Sequence, residues 1–408
     1  MSPVAFRDLR LSGLGRVLRL GGCPEVLGAL RAAMPGWPGE LVAAEGPAPP
    51  VRLCREGDGY RQHSPELPDG LFLSTPAEAA CSLIADLVGE FFARHPEAIG
   101  LHGGSVEVDG QLLLFPASHR AGKSTLAAAF AAAGYRVFGD DVLALTAEGE
   151  GMALGIAPRL RLPLPESLDA ELVEFVSDHA GPADERYLYL APPEGGLAPH
   201  GESRPLGAVV LLAREEGARV PRLSRLAPGE GLLRLLCQNF AHATPSEALL
   251  ERFLPLMERV PCLLLRYAEP LAAARALGEA LADPPAVTCP EAPASRPSPA
   301  RALPSVEGPW VPSVEGPWVP AEGVLDYPLG EELFLVEVAG GAIHRLNPTG
   351  RLVWQLLAHE PLAPLELAEL LAEHFGQPLP RVLEDLRELL ADLAGAGLAR
   401  PVDQGARG

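Results

Sequence analysis

The chain has 408 residues, 48% of them hydrophobic, and a formal net charge of −20. That apolar share excludes a disordered chain and suffices for two or three folded domains, while so acidic a balance makes nucleic acid and anionic membrane unfavourable partners. Cys23, Cys54, Cys81, Cys237, Cys262 and Cys289 form no Cys-x-x-Cys pair, which argues against zinc and a disulfide framework and for a reducing cytoplasm.

The first residues carry arginines but no continuous apolar stretch, so no signal peptide is expected, and no later run is long enough for a membrane span. Residues 1–98 read as an N-terminal α/β extension of short strands and Pro/Gly-rich loops. Within it Ala77–His95 is an amphipathic helix, announced by Ser74, Thr75 and Pro76. SVEVDGQLLLF, Ser105–Phe115, predicts two strands joined by a type I′ turn at Asp109-Gly110.

Next comes FPASHRAGKSTLAAAF, Phe115–Phe130. The chain holds 33 Lys plus Arg, and Lys123 is its single lysine. A strand, a loop and then an Ala-rich helix closed by Gly134 is the order of a phosphate-binding loop. Backbone N–H groups at a helix N-terminus gather an anion. Ala117, Ser118, His119, Arg120, Ala121 and Gly122 would supply that cradle, with Lys123, Ser124 and Thr125 opening the helix. A compact ammonium reaches the β/γ-phosphates, and the following hydroxyl, Ser124, binds Mg²⁺. The planar, bulkier arginine suits the position badly, which explains why one lysine survives here. Ala117 occupies the place where the usual pattern has glycine.

YRVF at Tyr135–Phe138 and VLAL at Val142–Leu145 are strand-like and flank Gly139-Asp140-Asp141. Gly-Asp-Asp is also good turn chemistry. At the end of the strand after the loop helix, however, the pair can serve Mg²⁺ and a substrate hydroxyl. Arg159 and Arg161 can be read as phosphate contacts or as structural residues. GAVVLLA (Gly207–Ala213) and CLLLRY (Cys262–Tyr267) predict buried strands, separated by helices near Gly231–His242 and Ser246–Arg259.

Residues 283–322 are dense in Pro, Ala and Ser and repeat PSVEGPWV at Pro304 and Pro312, which predicts a semi-rigid linker. Trp310 and Trp318 leave open a docking role for the repeat. Beyond it, 323–402 reads as strands ELFLVEV and AIHRL followed by three helices. Asn347 and Pro348 open the first. The second covers about Leu365–His374. The third, Pro380–Ala394, aligns Val382, Leu386, Leu389 and Leu393 on one stripe. This pattern suggests a small winged helix. Between Val324 and Arg400 there are 12 Asp/Glu against 5 Arg, which argues against DNA as its ligand.

Two resemblances follow. LHGGSVEVDGQLLLFPASHRAGKSTLAAAFAAAGYRVFGDDVLAL, Leu101–Leu145, resembles the core of the HPr kinase/phosphorylase family and its relatives. The resemblance implies an α/β (α+β) P-loop kinase core of the HPr-kinase type over 99–282. It places His102 near the transferring phosphate, Lys123 and Ser124 on ATP–Mg²⁺, Asp140 as base toward a serine hydroxyl, and Asp141 on metal or water. The chain departs from the family at Ala117, His119 and Arg120. It also departs at Met152–Ile156 (MALGI), where the family's carboxylate-containing signature is reduced, so recognition of HPr itself is not implied. GGAIHRLNPTGRLVWQLL with the helices after it resembles the PqqD-like family of peptide-recognition elements. This implies a precursor leader peptide added as a strand beside Ala342–Leu346 and resting on the third helix. Ile343, Arg345, Arg381, Glu384 and Arg387 are the candidate contacts, with Leu346, Val353 and Trp354 in the core.

Together these readings lead to an expected ATP- and Mg²⁺-dependent serine/threonine kinase acting on a ribosomally made precursor peptide. A nucleotide-binding peptide chaperone without phosphotransfer and a kinase for a small-molecule hydroxyl stay open, as does a homo-oligomer.

Overall fold

The computed structural model describes residues 6–116, 122–215, 217–218, 220–240, 244–282 and 316–402. Two units emerge, one of Met1–Leu226, Glu230–Ala243 and Arg259–Cys289, the other of Ala227–Gly229, Thr244–Glu258 and Pro290–Gly408.

In the first unit the N-terminal residues build a six-stranded sheet, in the order Gly39–Ala43, Phe6–Leu11, Gly15–Gly21, Val51–Glu56, Gly59–Ser64, Leu67–Leu73. Helices Pro24–Ala33 and Pro76–Arg94 cover it through Val26, Leu30, Leu83, Leu87 and Phe91. The expected helix is therefore present, started by Thr75, whose side chain accepts from the Glu78 N–H. The sheet's one fully buried charge is Asp8 among the described residues, gripped by Arg19 at 2.8 Å and Arg16 at 2.7 Å. This layer is pinned to the rest of the unit by backbone contact. The Gly36 N–H donates to the Gly155 carbonyl at 3.0 Å and the Ala157 N–H to Ala33 at 2.9 Å. A Cβ on Gly36 would lie 2.7 Å from the Gly155 Cα, so neither glycine can grow a side chain.

The second sheet is organised around the long strand Ser203–Arg214. It runs parallel to Gln111–Phe115 on one side and to Cys262–Tyr267 on the other. Gly104–Val108 and Gln111–Phe115 form the expected hairpin, with Asp109 and Gly110 at φ 48° and 76°, as a type I′ turn requires. Arg136–Gly139 pairs beyond Gly104–Val108, and Glu150–Met152, Leu143–Leu145 and Ile99–Leu101 extend from the start of the long strand. Helix Lys123–Ala132 packs its small face against Val106, Phe115 and Val137 and ends before Gly134 at φ 86°. The helix expected near Gly231–His242 is Pro228–Gln238; Asn239 leaves it to bridge Leu101.

In the second unit, Val324–Leu329, Glu332–Glu337 and Ile343–Leu346 make a three-stranded antiparallel sheet, followed by helices Pro348–His359, Pro364–Phe375 and Leu379–Gly395. Asn347 caps the first, its side chain accepting from the Gly350 N–H at 2.8 Å. Leu346, Val353 and Trp354 are buried, as expected of core. On the last helix Leu386, Leu390 and Leu393 are the buried stripe, with Val382 and Leu389 only partly covered. The expected Pro-rich linker lies mostly outside the described residues, together with Trp310. Its C-terminal edge needs correction. Trp318–Pro320 is a strand paired with Ala399–Pro401, and the buried Trp318 belongs to the core of this unit. Burying an indole outweighs the extended, linker-like bias of the prolines around it.

Candidate functional site

The site is assembled where the Gln111–Phe115 strand ends and helix Lys123–Ala132 begins. Gly122 precedes that helix at φ 90°, a conformation costly for any residue with a Cβ, and a Cβ there would also lie 3.1 Å from the Tyr267 hydroxyl. The turn delivers Lys123 to a position only 6% exposed. Its Nζ lies 3.1 Å from His102 Nε2. With Lys123 as an ammonium, Nε2 must accept, which puts the imidazole proton on Nδ1. His102 is held in turn by its own backbone N–H, donated to the Gln238 carbonyl at 2.9 Å. Burial pulls the Lys123 ammonium below its usual pKa, against the opposing pull of Asp141 and Asp140. Ala117–Ala121 lie outside the described residues. Ser124 and Thr125 sit in the first turn of the helix.

Asp140 is 3% exposed. Gly139 makes that burial feasible: a Cβ there would stand 2.3 Å from the Val142 carbonyl, so only glycine lets the strand turn so tightly before the two carboxylates. Asp140 Oδ2 accepts from the Arg159 N–H at 2.9 Å, and the Ser124 hydroxyl also bonds to this carboxylate. Its Oδ1 is buried with no partner among the described residues. Burial, and then the charge of Asp141, push the Asp140 carboxyl up to about 7. Asp141 is oriented by Arg159 Nη2, 2.8 Å from its Oδ2. Arg159 itself lies over the Tyr187 ring at 4.6 Å and donates to Cys81. Sequence reasoning left Arg159 undecided and did not find Cys81 or Asn239; all three act through contacts distant in the chain. Arg161 lies 5.8 Å from the same ring.

His102, Asp140, Asp141 and Arg159 border one cavity of about 680 Å³. The structure thus brings His102, Lys123, Ser124, Asp140 and Asp141 together. A hydroxyl donor, carboxylates and a cation beside a helix N-terminus can hold a polyphosphate, a divalent ion and a nucleophilic hydroxyl at once.

In the second unit the candidate peptide contacts divide into two groups. Ile343 and Arg345 lie on the edge strand of the three-stranded sheet, opposite Val336 and Phe334. Arg345 is committed to Glu332, its Nε donating at 2.8 Å. Arg381, Glu384 and Arg387 are exposed on the last helix.

Comparison with known proteins bears first on this unit. Residues 332–399 match the family model described as coenzyme PQQ synthesis protein D (PqqD). This segment is a PqqD-like domain. Among solved structures, TbiB1 in complex with the TbiA(beta) leader peptide is similar at 23% identity and a TM-score of 0.20, covering 21% of this chain and 99% of that one. The Hpr(Ser) kinase/phosphatase from Coxiella burnetii is similar at 13% identity and a TM-score of 0.23, covering 44% of this chain and 94% of that one. The search of curated proteins found no match. Among the described residues, no helix is long and apolar enough to cross a membrane.

Proposed function

We propose that the chain is a kinase that transfers the γ-phosphoryl group of ATP to a serine or threonine hydroxyl of a precursor peptide, whose leader is held by the PqqD-like domain. The observation that carries this reading is the juxtaposition of Lys123 at a helix N-terminus with the buried, half-satisfied carboxylate of Asp140. Lys123 and the helix N–H groups neutralise the β- and γ-phosphates. Asp140 Oδ1 accepts the proton of the attacking hydroxyl while Oδ2 stays fixed by the Arg159 N–H. The hydroxyl oxygen bonds to phosphorus, the bond to the β-phosphate oxygen breaks, and ADP leaves. His102, beside Lys123 and on the wall of the cavity, stands between the phosphate and the acceptor.

The donor set also fits Mg²⁺: the Ser124 hydroxyl and the partly exposed carboxylate of Asp141 are hard oxygen ligands beside a phosphate site. The ion would spread the charge of the transferring group. For the leader, Ile343–Leu346 is an edge strand of its sheet among the described residues, and Arg381, Glu384 and Arg387 offer an exposed polar helix face.

Ala117, in the place of the usual glycine, favours a second reading, a nucleotide-regulated peptide chaperone. Labelled ATP with the co-encoded precursor and Mg²⁺ separates the two. The kinase reading expects phosphopeptide from the wild type and a loss of roughly 10²–10⁴-fold in Asp140→Asn, the usual worth of a general base. ATP binding without transfer to any co-encoded peptide would leave the chaperone. Unchanged nucleotide affinity in Lys123→Ala would sink both.

A further inference from the structure

The cavity beside Asp140 is larger and more apolar than a phosphoryl acceptor needs. Ile84 and Val88 from helix Pro76–Arg94, Val142, Leu154, Ile156 and Phe240 form much of its wall. Its 680 Å³ falls within the range of small-ligand sites. Two acceptors in its lining are buried without partners among the described residues, Asp140 Oδ1 and Asn239 Oδ1. Orphaned acceptors in a native protein call for a donor from outside. The helix facing them is trimmed as well. Ala85 and Gly89, one turn apart, border the cavity and are exposed, and nothing lies within 4 Å of a Cβ built on Gly89. No packing constraint demands glycine there, and mid-helix glycine weakens a helix. What its absence of side chain preserves is open volume.

We propose that this cavity is the acceptor subsite, and that it selects a peptide hydroxyl with a large aliphatic or aromatic side chain adjoining it. The inference rests on the kinase reading for its chemistry and extends it to substrate choice. In-line transfer puts the attacking oxygen and the departing ADP on opposite sides of phosphorus. Lys123 marks the nucleotide side and does not border the cavity; Asp140, which meets the attacking oxygen, does. The hydroxyl donates to Asp140 Oδ1, a backbone N–H of the peptide donates to Asn239 Oδ1, and the neighbouring side chain fills the apolar body. A helix outside the kinase core thereby helps read the substrate.

The test is calorimetric titration of the full chain, loaded with Mg²⁺ and a non-hydrolysable ATP analogue, with N-acetyl-Ser-Leu-amide and N-acetyl-Ser-Gln-amide. Burial of one leucine side chain predicts at least roughly tenfold tighter binding of the first. Ala85→Trp and Gly89→Trp, both at exposed helix positions, should each erase that preference and leave the affinity for the analogue unchanged. Equal binding of the two peptides, binding of neither, or a preference surviving both substitutions overturns the proposal. So does a fall in analogue affinity in the tryptophan variants, which would assign the cavity to the nucleobase. The titration needs no turnover. Phosphotransfer without apolar preference rejects the subsite alone, and apolar preference without phosphotransfer rejects the kinase alone.

Discussion

The Asp140 carboxyl is pushed up to about 7. Burial is the larger cause and the neighbouring Asp141 the second. Because its folded pKa is raised above the unfolded value, the folded chain holds a proton that the unfolded chain releases. The associated stability is fully present below the unfolded pKa and is lost as pH rises toward about 7. On the proposed kinase reading, catalysis has the opposite sign, since Asp140 as base must be ionised. The kcat/KM for the precursor should rise about tenfold per pH unit below neutrality and level off above about 7. Asp141→Asn, which removes the neighbouring charge, should move the midpoint of that profile to lower pH. A profile flat from pH 5 to 8 would rule out Asp140 as the base. At this scale the sequence was informative where contacts are local. Lys123, Ser124, Asp140 and Asp141 lie in one strand–loop–helix–strand stretch, and that local order, with the solitary lysine, marks them as candidates. Arg159 and Asn239 contribute through a backbone donor 19 residues away and a bridge to Leu101, which no window of sequence displays.

At the scale of elements, helices with strong start signals were readable and those without were not. Thr75-Pro76 and Asn347-Pro348 announce theirs. Helix Pro24–Ala33 has Cys23 at its N-cap, no side-chain cap bond and Gly28 inside, so its sequence looks like loop. The N-terminal strands are legible only as short strands, not as one six-stranded sheet, for a related reason: they are Arg-rich, and Asp8 sits in the middle of one as a fully buried charge. That aspartate holds Arg16 and Arg19 of the adjacent strand, and the hydrogen bond from Arg19 is the main cause that keeps its pKa below the ordinary value. Removing Asp8 takes away the carboxylate that both guanidiniums share. Asp8→Ala should therefore lower the denaturant midpoint, measured by urea unfolding at pH 7. The depressed pKa makes the contribution present above the unfolded value near 3.8 and lost as pH falls through the folded one. Wild type and Asp8→Ala should accordingly converge in stability in acid. If they differ equally at pH 7 and well below pH 3, packing rather than charge explains the effect.

At the scale of the whole molecule, the proposed kinase site and a PqqD-like domain on one chain would change the kinetics of encounter more than the chemistry. A leader held by the PqqD-like domain presents the attached hydroxyl at an effective concentration set by tether length, in the millimolar range for short flexible connections. The gain should be a lower KM with kcat little changed, because the transition-state contacts at Asp140 and Lys123 are the same for free and tethered acceptors. Full precursor should therefore exceed the leaderless peptide by roughly 10²–10⁴-fold in kcat/KM, nearly all of it in KM. Arg381→Glu with Arg387→Glu, on the exposed face of helix Leu379–Gly395, should erode that advantage while leaving the leaderless peptide's rate constants unmoved. Both residues are far in sequence from Lys123 and Asp140 and exposed to solvent, so a simultaneous loss with both peptides would mean that the last helix supports catalysis rather than capture. An excess of leader fragment supplies the complementary check: it should compete with full precursor and have no effect on the leaderless peptide. Inhibition of both would place the fragment in the acceptor cavity instead of on the PqqD-like domain.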